Sequence, residues 1–420
     1  MYRYEDIRHV HLEPTEKCQA ACPMCPRNIH GGKENPFIIN AELTLDDCKQ
    51  IFEPKFIKQL DTMYMCGDYG DPIIAKDTAE IMLYFRKSNP KMYLRMHTNG
   101  GARKAEWWDR LAKIICHKGR GEVTFSVDGL RDTNHIYRQN VKWDLVERNM
   151  KAFIAGGGKA VWDYLVFKHN EHQVDEAKEL SEKWGFDQFL IKKTSRFYSY
   201  SGGKSSPMTG NIFQVLDKDG NNTHILEPPT EETYRNEITD QANQIKEKHG
   251  ERAMGDYYNT TKVDPKCVEK QEIYISSRGY CLPCCWMGAT LHRWENGNDQ
   301  TNQCWDFIND IGGEDAINAI KTPIKYIIEE SGLFQNIRDS WNIPTITEGK
   351  LAVCTRMCAA KFDWNSSYGD DDGPQKTNFQ FNEGQDYAGS DSEAEFRSGV
   401  FQQTMQGRVA SHMRDKGKKV

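Results

Sequence analysis

Residues 16–28 read EKCQAACPMCPRN and hold Cys18, Cys22 and Cys25 at the spacing CxxxCxxC. Three thiols so close together suit a metal centre. A cube-shaped 4Fe–4S cluster takes four ligands. With three protein ligands one iron keeps an open position, the logic that separates a catalytic from a structural zinc site. The spacing alone leaves a second possibility, a zinc site completed by His30, His11 or a distant ligand. A second group follows far along the chain: Cys267, Cys281, Cys284, Cys285, Cys304, Cys354 and Cys358. Cys48, Cys66 and Cys116 lie between and read as small core residues.

Positioning the first three thiols falls to a repeated strand–helix unit. IRHVHLE (7–13) reads as a strand running straight into the cysteine loop. TMYMCG, MYLRMH, EVTFSVD, AVWDYLVFK and DQFLIKK read as five more strands, with helical segments between them. Thr44 with Asp47 three residues on predicts a helix start by an acidic variant of the capping box, and Pro54 predicts a kink. The period of roughly 30 residues is that of a βα crossover unit. Six units predict an α/β fold, a partial (β/α)6 TIM-like barrel. Ligands gather at the carboxyl ends of parallel strands, where the cysteine loop begins.

Composition sets the class. The chain has 420 residues, the length of about two or three domains, and 38% of them are hydrophobic, ample for a large core. A net charge of −6 gives no basic field for nucleic acid. No apolar run predicts a membrane span, and the start lacks a signal-peptide pattern. The expectation is a cytoplasmic protein whose thirteen cysteines serve metal rather than disulfides. Four stretches follow: a core barrel (1–199), a polar linker or lid (200–262), a cysteine-rich region (263–362) and an acidic tail (363–420) that predicts disorder. The run AGGGKA (155–160) lacks phosphate-loop spacing and reads as a turn. Asp370, Asp371 and Asp372 lack the spacing of a calcium loop.

With the cysteine loop followed in order by CGDYGDPI (66–73), HTNGG (97–101) and FSVDGL (125–130), residues 5–193 resemble the radical S-adenosylmethionine (SAM) superfamily. CGDYGDPI (66–73) resembles its GGEP loop, HTNGG (97–101) its TNG, and FSVDGL (125–130) its SxDG. The resemblance implies that Cys18, Cys22 and Cys25 hold the catalytic 4Fe–4S cluster. It implies SAM contacts from Met24, Gly70, Asp71, Pro72, Ser126, Asp128, Arg138 and Asn170. Met24 stands where the family usually has an aromatic residue, and Gln19 where it often has Asn. The later cysteines resemble the family's SPASM and twitch auxiliary-cluster domains. Cys267, Gly279 and Cys284 follow the opening pattern, Cys354 and Cys358 form a late pair, and these four cysteines would hold a second 4Fe–4S cluster. Cys281, Cys285 and Cys304 are expected to stay out. Phe197, Tyr198 and Tyr200 either line a substrate cavity or pack beneath the second region. The resemblance implies an oxidoreductase or maturase, fed by a donor such as flavodoxin or ferredoxin and acting on a small molecule or peptide. The first strand begins within ten residues of the start, which tilts the expectation away from dedicated peptide maturation. A zinc-stabilised binding protein is the alternative class.

Overall fold

The computed structural model describes residues 1–197, 208–209, 212–250, 253–294 and 299–360. Six strands follow in order: β1 (His9–Leu12), β2 (Thr62–Met65), β3 (Tyr93–Thr98), β4 (Gly121–Ser126), β5 (Ala160–Leu165) and β6 (Gln188–Lys192). Each pairs in parallel with the next. β7 (Met208–Thr209), β8 (Ile212–Leu216) and β9 (Asn222–Leu226) make a separate antiparallel sheet. β10 (Glu272–Ile275) and β11 (Cys281–Leu282) then rejoin the first sheet. β10 pairs in parallel with β1, His9 opposite Glu272, and β11 runs antiparallel to β10. The result is an eight-stranded sheet in the order β11, β10, β1 to β6, a partial TIM barrel.

The helices form where the pattern predicts. Ala105–Ile115 buries Trp108, Leu111, Ala112 and Ile115, the i, i+3, i+4, i+7 stripe of a helix facing a sheet. Trp108 is fully buried against Phe125 and Phe153, and its loss would cost about 3–5 kcal/mol. Thr44 caps Leu45–Ile51 through the Asp47 amide, and Asp47 returns the bond to the Thr44 amide. The helix stops at Phe52, and Pro54 opens a new one at its first position. Pro54 thus separates two helices rather than kinking one, because its missing N–H costs nothing at a helix start.

From the stretch 263–362, β10 and β11 extend the barrel sheet. Within the stretch 200–262, the Leu216 amide donates to the His30 carbonyl at 2.9 Å, next to the cysteine loop. The helix Glu237–His249 buries Ile238, Ala242 and Ile245 and so is only half solvated. Phe197 packs against Phe167. Tyr198, Tyr200 and the acidic tail from 363 on lie outside the described residues. Among the described residues, no helix is long and apolar enough to cross a membrane.

Candidate functional site

A cavity of about 1140 Å³ opens at the carboxyl ends of the strands and runs into the barrel interior. Cys18, Cys22 and Cys25 line it. Their loop is shaped by main-chain bonds: the Cys25 amide donates to the Cys22 carbonyl at 3.0 Å, and the Ala21 amide to the Gln139 carbonyl at 3.1 Å. Burial raises all three thiols. Cys22 is pushed up to about 11 by burial, with the Arg138 guanidinium holding it back. Burial also raises Cys25, countered by Arg27, Arg196 and Arg138. Donors reach the sulfurs: Asn99 Nδ2 lies 3.7 Å from Cys18 Sγ, and Arg138 Nη1 lies 3.9 Å from Cys22 Sγ. Gln19 Nε2 donates to Asn99 Oδ1 at 2.6 Å, so Gln19 orients the asparagine.

The strand-end loops are tied to this loop and to each other. A Cβ on Gly70 would meet the Thr15 carbonyl oxygen at 1.8 Å, so only glycine fits there. The Asp71 amide donates to the Lys17 carbonyl at 3.0 Å. The Asp71 carboxylate accepts from Thr98 Oγ1 at 2.8 Å, the Asn99 amide at 2.8 Å and the Ile73 amide at 3.1 Å. Asp128 accepts from Arg138 Nε at 2.5 Å and from the Leu165 amide at 2.8 Å. Gly70, Asp71, Ser126, Asp128 and Arg138 all line the cavity.

Three of the residues expected to contact SAM do not line the cavity. Met24 and Pro72 are not on the cavity wall; the Met24 carbonyl instead holds Arg196, which is. Asn170 is also off the wall and fully buried. Its Nδ2 donates to the Asp128 and Leu165 carbonyls, and its Oδ1 accepts from the Phe167 amide. The carboxamide closes the turn after β5.

Cys267, Cys284, Cys354 and Cys358 line another part of the same cavity. Burial raises Cys267, Cys284 and Cys354, and the next contributions come from within the group. Cys354 and Cys358 act on Cys267; Cys267 and Cys358 act on Cys284; Cys284 and Cys358 act on Cys354. Cys354 sits in the helix Ala352–Met357, and the Cys358 amide donates to its carbonyl at 2.9 Å, one turn on. Cys285 also lines the cavity but faces a different set of neighbours, Asp68 before Cys284. Cys281 and Cys304 are fully buried and off the wall. Cys66, read as a core residue, lies on the wall.

Inside the barrel the wall is polar. Arg95 Nε pairs with Glu122 at 3.0 Å, and Glu122 also meets Lys159 Nζ at 3.1 Å and Tyr93 OH at 2.9 Å. Lys192 and Asp163 stand 3.9 Å apart. Burial lowers His11 to about 4 and His97 to about 3, so both imidazoles are neutral at pH 7. Period-2 alternation within β3 and β4 carried this signal, because Arg95 and His97 share one strand face.

Among the described residues, no three His, Cys, Asp or Glu side chains converge on a single metal ion. None of the thirteen cysteines forms a disulfide. The donor sets are nonetheless all sulfur, at most partly exposed and, in the first case, faced by N–H donors. That chemistry fits iron–sulfur clusters, whose thiolates are held by such bonds.

Residues 12–181 match the Radical SAM superfamily. No curated protein matches the chain. Among solved structures, Streptococcus suis SuiB is similar at a TM-score of 0.49 and 14% identity, over 90% of this chain and 77% of that one. The structure of anSMEcpe with bound AdoMet gives 0.47 and 12%, over 88% and 90%. BtrN in complex with AdoMet and 2-DOIA gives 0.37 and 11%, over 83% and 92%.

Proposed function

Because residues 12–181 carry a radical SAM domain, we propose that this protein cleaves SAM reductively and abstracts hydrogen from a polar substrate. Cys18, Cys22 and Cys25 would hold the catalytic 4Fe–4S cluster, and Cys267, Cys284, Cys354 and Cys358 an auxiliary one. When bound, the first cluster supplies an electron and an open iron for SAM, whose cleavage yields a 5′-deoxyadenosyl radical.

The observation that carries this reading is convergence. The three thiols, Gly70, Asp71, Ser126, Asp128 and Arg138 come from successive strand ends and line one cavity. Asn99 and Arg138 direct N–H groups at Cys18 and Cys22, which disperses negative charge from the thiolates. Asp71 has its oxygens engaged by Thr98, Asn99 and Ile73, so it acts by fixing Gly70 against Thr15. Arg138 commits Nε to Asp128 and directs its other end toward Cys22, where it can hold the SAM carboxylate. The paired charges and neutral imidazoles of the barrel wall suit a polar small molecule or a peptide side chain. A low-potential donor such as flavodoxin or ferredoxin, in a reducing cytoplasmic setting, would complete the system.

Anaerobically reconstituted protein should convert SAM to 5′-deoxyadenosine and methionine under reduction, slowly even without substrate. Cys22→Ala should abolish that product while the iron of the second site stays. Undiminished 5′-deoxyadenosine from the variant, or a colourless zinc protein from anaerobic purification, would overturn the reading.

A further inference from the structure

Glu16 stands two residues before Cys18, and its carboxylate is buried, with 2% of the side chain exposed. Oε2 accepts from the Ile39 amide at 2.9 Å and the Ala41 amide at 3.1 Å, on the limb that returns from the cysteine loop. Oε1 accepts from Arg278 Nε at 2.6 Å. Arg278 belongs to the turn between β10 and β11, distant in sequence, and its Nη2 donates to the Phe37 carbonyl at 2.5 Å. The Glu16 main chain is engaged as well: its amide donates to the Ala41 carbonyl, and its carbonyl accepts from Arg27. Thr15 and Lys17, on either side, touch Gly70 and Asp71. Residues 15–17 therefore join the cysteine loop, its returning limb and the Gly70 loop, and Arg278 ties all three to the second cysteine region.

We propose that Arg278 is a positioning residue through which the second region sets the geometry of the first thiol loop. Removing one member of a buried ion pair leaves the other uncompensated. Without Arg278, Glu16 Oε1 loses the guanidinium that fixes it, the Phe37 carbonyl loses its donor, and the amides of Ile39 and Ala41 lose a fixed acceptor. The movement passes to Cys18 along the chain and to Gly70 through Thr15. The proposal rests on the function above for what the loop holds, and on geometry alone for the clamp.

The test compares wild type, Arg278→Gln and Arg278→Lys as full-length, reconstituted protein. Three properties are read: amide exchange at Ile39 and Ala41, SAM affinity, and the electron paramagnetic resonance of the first cluster with SAM. Arg278→Gln should speed exchange at both amides about tenfold or more and weaken SAM binding about tenfold, with a shifted resonance and unchanged iron content. Arg278→Lys keeps the charge opposite Glu16 but not the planar fork, and should restore SAM affinity to within about threefold. Unchanged exchange and SAM affinity in Arg278→Gln would overturn the proposal. Iron lost from both sites together in both variants would also overturn it, since the pair would then be holding the whole fold. Wild-type protein without a cluster on Cys18, Cys22 and Cys25 would strike the proposed function, while the exchange comparison would still decide the clamp.

Discussion

The two thiol groups solve one problem by opposite routes. The first comes from a single short loop after β1, so Cys18, Cys22 and Cys25 are neighbours before any tertiary contact forms. Its surroundings mix cations and amide donors: Arg138, Arg196, Arg27 and Asn99. The second draws Cys267, Cys284 and the Cys354/Cys358 pair from three distant segments, and its thiols are perturbed after burial mainly by one another. A local site with flanking donors can present an open position to a changing ligand. A site assembled by the fold, with four thiols, is suited to a closed and constant one.

That contrast can be broken most severely at the adjacent pair Cys284 and Cys285. Intact protein should carry about eight irons per chain, about four for each cluster of this type. Cys284→Ala should lose about half of them by iron assay, while Cys285→Ala, whose thiol faces Asp68, should keep them all. The reverse result would put the four-thiol group out of register by one residue. The first site is next. Arg138→Ala should weaken SAM binding by roughly 1.5–3 kcal/mol by titration, the scale of a charged hydrogen bond. It also strands Asp128, whose carboxyl burial already raises and Arg138 holds down. Asp128→Asn in the Arg138→Ala background should therefore recover thermal stability without recovering SAM affinity. Equal recovery of both would make Arg138 purely structural.

The smallest effect sharpens the seam between the two groups. Glu13, just after β1, accepts from Tyr274 of β10 and from the amides of Tyr69 and Gly70. Burial raises its carboxyl to about 7, against the hydrogen bonds that favour the charge. A folded-state value above the unfolded one means that the folded protein holds the proton more tightly. Glu13 therefore favours the fold at low pH, and that contribution fades as pH rises from about 4.5 toward 7. Glu13→Gln should flatten this part of the stability–pH curve and gain on the order of 1–2 kcal/mol at pH 8 by denaturant titration. A curve unchanged from wild type would mean that Glu13 titrates alike in the folded and unfolded protein.

What the sequence disclosed follows the same divide. The first thiols, the Thr44 cap and the six parallel strands are set by nearby residues, and each was readable from spacing and periodicity. The insertion of β10 beside β1 was not, because no local pattern tells a strand which distant edge it will join. Asn170 meets a related limit. A carboxamide at a strand end serves a ligand or a turn equally well by composition, and its bonds to Phe167, Leu165 and Asp128 come only from the fold. The charged barrel wall escaped notice because Arg95 and Glu122 look like solvent-facing residues until the register sets them side by side.

The place of β1 in the sheet has a consequence for synthesis. One edge of β1 is covered by β2, which emerges soon after it, but the other waits for β10 at residue 272. At the usual speed of translation that interval is roughly 13–50 s. Throughout it a bare strand edge, the kind that recruits other chains, lies directly before the cysteine loop. The ribosome thus delivers the first thiols long before the strand that borders them, so this protein's yield in cells should depend on chaperones that shield a nascent edge.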